Sequence, residues 1–551
     1  MGDKVFTFIV GGKAGEGVKK AGSVASKLFK GMGRNVFQMD DYQSLIRGGH
    51  NFSVVSSSIG DITSHYMKAD LLVLIDSLSY EIHKEQITKE GIIVYDSDVI
   101  GYGEGIGVPL SSEAKNHESP DLIKGVGAVT ALFAALGLDK SQLESTIRTE
   151  YSKNAEENVS YAMSIFEAVD RKIEGKFTLE AGESSRPMLT GNESIALGAY
   201  ASGLDIYYAY PMTPSSSILH FLAAHEKDLG ITTVHPESEI AVINMAIGSA
   251  ITGARVMVGS SGGGFALMEE AISLAGMTET PLLCILSSRP GPSTGVPTYT
   301  SQGDLGFAIH PGHGEFPKIV ASPGSISEAF YVAAELMGLA WQFQTPTILL
   351  TEKHLSESSM TVDIDVRMAN WAEAVMHEEG EYKRYLDTSN GVSALLSPPS
   401  DELIKWNSYE HDEMGITTEK AEIIVKMQDK RRRKRETIER YMKDMQTVNR
   451  YGDKGPVICT YGSTTMSVLE ALRYKGMNAR VVQPLYLEPF PVWEFEGYEN
   501  EGVIVVEQSS IGQFATIIKE KTGITATKVI KKYDGRSFDP IELSEELQGV
   551  I

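Results

Sequence analysis

Short apolar runs that each give way to a helix-patterned stretch recur along this chain, and that alternation constrains the fold more than any other feature. "KVFTFIV" reads as a buried strand, "GVKKAGSVASKLFKGMG" as a helix ended by glycine, and "NVFQMD" as the next strand. "HNFSVVSSS", "ADLLVLIDS" and "GIIVYDS" continue the pattern, with helices from about Val126 onward. The pattern returns at "ARVMVGSS", "PLLCILSS" and "TPTILLTE", and again at "PVICTYG", "ARVVQPL" and "GVIVVEQ". Strands alternating with helices build open α/β sheets, and 551 residues exceed what one hydrophobic core holds. The expected fold class is therefore α/β, as three successive open α/β domains. Their expected bounds are 1–175, 189–360 and 456–551, with a polar linker at 176–188 and a charged, helical connecting segment at 361–455.

Charge narrows the partners. Lys and Arg number 50 against 73 Asp and Glu, a net −23, which argues against nucleic acid or an anionic membrane surface. The run "KRRRKRETIERYMKDM" is read within that acidic whole as a solvated helix face. Only two cysteines occur, Cys284 and Cys459, each inside an apolar run, so a disulfide framework, a zinc site or a cysteine-ligated iron–sulfur cluster is not expected from this chain. No apolar run reaches about 18 residues, the start lacks a signal-peptide layout, and a cytoplasmic setting is expected.

Several loops carry residues suited to ligands. "GGKAGEGV", residues 11 to 18, follows a strand and opens a helix. Its spacing is G-x-x-G-x-G rather than the dinucleotide G-x-G-x-x-G. Gly15 and Gly17 thus mark either a tight structural turn or a generic phosphate cradle at a helix start. Arg47 precedes paired glycines in "IRGGH", either as a surface ion-pairing group or beside a closely approaching ligand. In "YAYPMTPSSSILHFLAA", Thr213 is placed as an N-cap with Pro214 in the first helical position. Capping leaves Tyr210, Pro211 and the extra serines unexplained, and such a helix start also suits a carboxylate.

"HPESEIAVINMAIGSA" opens a helix with two acids. A helix-dipole role suffices for Glu237. Glu239 is followed at once by an apolar stretch, so it is expected to face a buried pocket and to share a proton there. The long irregular loop "SSRPGPSTGVPTYTSQGDLGF" carries Arg289, Thr294, Thr298 and Gln302 among prolines and glycines, the composition of a shaped functional loop. Arg289 with hydroxyls nearby suits a carboxylate.

Together "YPMTPSS", "PESEIAVINMAIGSA", "SSGGGFALMEE", "RPGPSTGVPTYTSQGDL", "HGEFPKIVASPGS" and "EHDEMG" resemble the 2-oxoacid:ferredoxin oxidoreductases, in the large chain that fuses a gamma segment ahead of an alpha segment. By that resemblance 1–175 is similar to the gamma domain, 189–360 to a thiamine diphosphate pyrimidine-binding domain, and 456–551 to a transketolase C-terminal type of domain. The resemblance implies CoA-dependent oxidative decarboxylation of a 2-oxoacid, 2-oxoglutarate or pyruvate, with electrons passed to ferredoxin. It makes Glu239 the catalytic acid that pairs with the aminopyrimidine ring, with Tyr210 and Pro211 beside the cofactor. Thr213, Arg289, Thr294 and Thr298 would hold the 2-oxoacid, and Gly15, Gly17 and Arg47 would serve coenzyme A. The diphosphate–magnesium site and the iron–sulfur cluster are implied on a partner beta subunit, without which the chain would be inactive, and no metal is expected on this chain. Met212 and the "SGGG" at Gly263 depart from the family pattern near the substrate. Two other readings stay open: an aryl-oxoacid, indolepyruvate-type enzyme, and a non-catalytic nucleotide-binding or assembly protein of the same fold.

Overall fold

Near-continuous apolar strands are what a sheet covered on both faces requires, and the runs read from the sequence form such strands. The computed structural model describes residues 5–44, 48–173, 175–369 and 371–551. They divide into two units, one reaching Leu189 with the short stretches Ser358–Val362 and Asp539–Ile541, the other holding the remainder.

The first unit is built on an eight-stranded mixed sheet. Its central strand Phe6–Ala14 runs parallel to Ala69–Leu74 and antiparallel to Gly48–Ser58. Helix Val18–Gly31 places Val18, Ala21, Val24, Ala25 and Phe29 in the core, the spacing of one helical face. Helix Lys124–Ala135 is buried along its whole length, as a helix that is apolar or small on every side must be. Residues 176–187 carry no regular structure, but they are strapped to this unit rather than free. Phe177 stacks edge-on to Phe6, and Gly182 and Ser184 donate backbone N–H groups to Met32 and Gly33.

The second unit contains two sheets. A seven-stranded sheet has Val256–Ser260, Leu282–Ser288 and Pro346–Glu352 in parallel at its centre. A five-stranded sheet has Val457–Cys459 parallel to both Arg480–Pro484 and Val503–Glu507. The three sheets appear in chain order, except that Ser359–Thr361 returns to the first and Tyr486–Glu488 to the second, and the last two share a hydrophobic core in which Val258, Leu286, Val457 and Val505 take part. Cys284 and Cys459 lie in that core as free thiols, and burial pushes the Cys459 thiol up to about 12. Among the described residues no helix is long and apolar enough to cross a membrane.

Two expectations are corrected here. Among its described residues the segment 361–455 is helical only over Ala421–Met442, apart from a single 3-10 turn at Val366–Met368. Asp365, Asn390, Asn407 and Asp412 each accept, through the side chain, the backbone N–H two residues on. Such Asx turns compete with helix formation. The basic run is not a solvated face either. Lys430, Arg431 and Lys434 are buried, the two lysines against Glu279 and the arginine against Glu410, while Arg432 and Arg435 stay exposed.

Candidate active site

Helix Glu239–Ile251 begins with its catalytic candidate. Ser238 caps it, accepting the Ala241 N–H at 3.4 Å. Glu239 shares a helical face with Val242, Ile243, Ala246 and Ile247, all buried, so the same packing that seats those side chains draws its carboxyl inside. Glu239 is 3% exposed, and its Oε1 is buried without a hydrogen-bond partner among the described residues. Glu237 lies before the cap and is exposed.

The carboxyl rests against the start of helix Gly262–Met277. A Cβ on Gly264 would stand 2.4 Å from Glu239 Oε1 and 2.0 Å from Ser260 Oγ, so only glycine allows this approach. Gly262 and Gly263, on the same turn, line a cleft of about 440 Å³ together with Met212, Arg289, Thr294 and Asp304. Glu239 and the cleft therefore border one glycine turn.

Arg289 follows strand Leu282–Ser288 and donates from Nη1 to the Thr213 carbonyl at 2.8 Å. Burial pulls its guanidinium down, and the Asp304 carboxyl opposes that pull. Asp304 accepts from Ser288 Oγ at 2.8 Å, and burial pushes its carboxyl up. Arg289, Thr294 and Met212 thus meet at the cleft, with Thr213 held to Arg289 through its backbone. Thr298 is buried and outside the cleft lining. Tyr210, beside His235 at a ring separation of 5.7 Å, and Pro211 are exposed and lead into Met212. Asp304 was not singled out from sequence, although an acid closing an irregular loop after a buried strand was the signal available.

Thr213 does not cap a helix. Helix Ser216–Ala224 starts later, because the Thr213 and Pro214 carbonyls that a helical turn would use accept instead from Arg289 and from Asn192 Nδ2, the latter at 2.7 Å.

In the first unit, Gly17 adopts φ 74° and a Cβ there would lie 2.6 Å from the Leu122 carbonyl, so close backbone packing accounts for it. Gly15, at φ +100°, faces open space. The Glu16 carboxylate sits at this helix start, paired with Lys124 at 2.9 Å. Arg47 lies outside the described residues.

An orphaned, buried carboxylate oxygen fits a ring nitrogen of an aminopyrimidine, which would supply the missing partner when bound. The comparisons agree with that chemistry. Residues 197–438 match the family described as pyruvate flavodoxin/ferredoxin oxidoreductase, thiamine diphosphate-binding, and residues 7–168 match pyruvate ferredoxin/flavodoxin oxidoreductase. A 2-oxoacid:ferredoxin oxidoreductase alpha subunit from a Sulfolobus species is 29% identical over 99% of this chain and 97% of its own. The 2-oxoglutarate synthase subunit KorA of Archaeoglobus fulgidus is 29% identical over 66% of this chain and 99% of its own. The solved 2-oxoglutarate:ferredoxin oxidoreductase from Magnetococcus marinus, with 2-oxoglutarate, coenzyme A and succinyl-CoA bound, superposes with a TM-score of 0.89 at 27% identity, covering 99% of both chains. A buried acid on a glycine turn, two family matches in one chain and full-length relatives converge: the chain belongs to the 2-oxoacid:ferredoxin oxidoreductase family, as a large subunit carrying both of those domains.

Proposed function

We propose that the chain is the large subunit of an enzyme that converts a 2-oxoacid, 2-oxoglutarate or pyruvate, and coenzyme A into an acyl-CoA, carbon dioxide, a proton and two electrons destined for ferredoxin. The observation that carries the reading is the unpartnered Oε1 of Glu239 beside the cleft that holds Arg289. Thiamine diphosphate, when bound, supplies a carbon nucleophile for the keto carbon and an electron sink for loss of the carboxylate.

The chain's own residues do the rest. Glu239 shares a proton with the aminopyrimidine ring. Arg289 holds the 2-oxoacid carboxylate by a charge-assisted contact of about 1.5–3 kcal/mol, with its guanidinium held by the Thr213 carbonyl and Asp304 lining the same cleft. Thr213, Thr294 and Thr298 supply hydroxyls on the segments around it, and Tyr210 with Pro211 borders the cofactor. Of the coenzyme A candidates in the first unit, Gly15 and Arg47 keep that role, while Gly17 is accounted for by its packing against the Leu122 carbonyl. The magnesium–diphosphate site and the iron–sulfur cluster belong to a beta subunit, and activity requires that partner.

The test is turnover by the assembled complex with thiamine diphosphate and magnesium, offered a panel of 2-oxoacids and a viologen dye. CoA-dependent reduction with 2-oxoglutarate or pyruvate is expected. Reduction with indolepyruvate alone would move the substrate class to aryl-oxoacids, and no reduction with any member would overturn the reading.

A further inference from the structure

Behind the substrate loop lies a buried polar network that the proposed chemistry does not use. Glu352 closes strand Pro346–Glu352 and is 1% exposed. Its Oε1 accepts from Ser463 N at 2.7 Å, Ser463 Oγ at 2.6 Å and Gln302 Nε2 at 3.2 Å. Gln302 Nε2 also donates to the Tyr461 carbonyl at 2.9 Å. On its other side Gln302 Oε1 accepts from Gln508 N at 2.8 Å and Thr464 Oγ1 at 3.0 Å, while its own N–H donates to the Gln508 carbonyl at 2.8 Å. The turn at 461–464 follows strand Val457–Cys459, and Gln508 follows strand Val503–Glu507. One side chain therefore ties the loop to the carboxyl ends of two strands in the neighbouring sheet.

The chain makes room for this contact. Gly462 has φ +57°, and a Cβ on it would lie 2.7 Å from Glu352 Oε1 and 2.9 Å from Gln302 Nε2. Further ties flank it: Thr300 N–H donates to the Gly535 carbonyl at 2.9 Å, and Gln513 Nε2 to the Gly303 carbonyl at 2.7 Å. The loop is thus anchored at 300–303, whereas 291–296 is exposed. Burying an acid among neutral donors is costly; burial pushes Glu352 up to about 7.

We propose that Gln302, oriented by Glu352, is a positioning residue for the 2-oxoacid: it fixes the register of the 287–304 loop so that Arg289 and Asp304 present their charges to the cleft together. Neither Gln302 nor Glu352 lines that cleft. Their effect reaches substrate through the loop, where a misplacement of about 1 Å is enough to cost about 10²-fold. The inference rests on the proposed 2-oxoacid activity, so two readouts are paired.

In the assembled complex, Gln302→Ala raises KM for the 2-oxoacid about tenfold or more and leaves kcat within about twofold, the pattern of lost uniform binding. Glu352→Ala does the same, while Glu352→Gln, whose amide oxygen still accepts from Ser463, restores the wild-type KM. In the full chain alone, hydrogen exchange of the 289–299 amides speeds up about tenfold in Gln302→Ala, with the Leu282–Ser288 strand unchanged. Thr464→Val, which removes one donor, gives the same changes at smaller size and stands in should Gln302→Ala fail to fold. Unaltered exchange in the loop, or KM and kcat falling together with thermal stability, would overturn the inference. Absence of turnover in the wild-type complex would instead defeat the function and leave the exchange result to judge the loop.

Discussion

Glu239 and Glu279 are the same residue type in the same unit, 3% and 2% exposed, yet their surroundings are opposite. Glu279, just past helix Gly262–Met277, receives Lys430 Nζ on both oxygens at 2.6 and 2.9 Å and Lys434 Nζ on Oε2. Arg384 donates to its backbone carbonyl at 2.7 Å and stacks on Trp406 at 4.2 Å. Glu239 has an oxygen with no partner among the described residues. Folding saturates a buried acid when that acid serves the fold, because an unpaired one costs stability. The one left open is open toward something that arrives later.

The comparison breaks first at Glu279. Glu279→Ala leaves two ammonium groups and a guanidinium buried without their anion, and a loss of about 3–5 kcal/mol is expected. Denaturant unfolding of the full chain measures it. The sign with pH follows from the depressed carboxyl, which the two lysines hold well below the usual carboxylate range. Its contribution is present above the unfolded value of about 4.3 and is lost as pH falls below that. Wild type should therefore lose stability more steeply than Glu279→Gln below about pH 4.3. Equal acid profiles would mean that the cluster does not hold the unit together.

At Glu239 the expectation reverses. Glu239→Gln keeps the shape but cannot lend a proton. It should lower kcat of the assembled complex about 10²-fold, about 2.7 kcal/mol of barrier, with stability changed by no more than about 1 kcal/mol. A stability loss matching that of Glu279→Ala would show that both acids are structural, and the contrast would vanish.

The contrast was half legible in the sequence. Glu239 showed itself because the residues after it are apolar, and a helix buries i, i+3 and i+4 together. The strands were legible for the same local reason, since burial on both faces leaves continuous apolar runs. The Glu279 cluster was not legible: its partners lie 151 and 155 residues away, and a run of basic residues reports charge without saying which members turn inward. Thr213 failed as a cap on similar grounds, its carbonyl being claimed by Arg289 from 76 residues on. Bringing Arg289 and Asp304 to one cleft required the loop to fold back on itself, and no local pattern encodes that closure. Local periodicity places elements; long-range acceptors and ions decide which polar groups remain available for chemistry.

The smallest expected effect sharpens the comparison most. The Glu279 cluster carries more cation than anion, with Lys430, Lys434 and Arg384 around one carboxylate. Burial and the neighbouring cations pull Lys434 down to about 7 despite the attraction of Glu279. One of the two lysines is thus surplus to neutralising the acid. Lys434→Met keeps the volume, forfeits the contact to the Gln344 carbonyl at 3.1 Å and removes a costly buried charge. The two effects oppose, so its stability should stay within about 1 kcal/mol of wild type, in contrast to the several kcal/mol lost at Glu279. A large loss at Lys434 would mean that the cluster needs every cation. The asymmetry between a saturated acid and an expendable base would then have to be abandoned, and with it the reason for reading the open oxygen of Glu239 as a site.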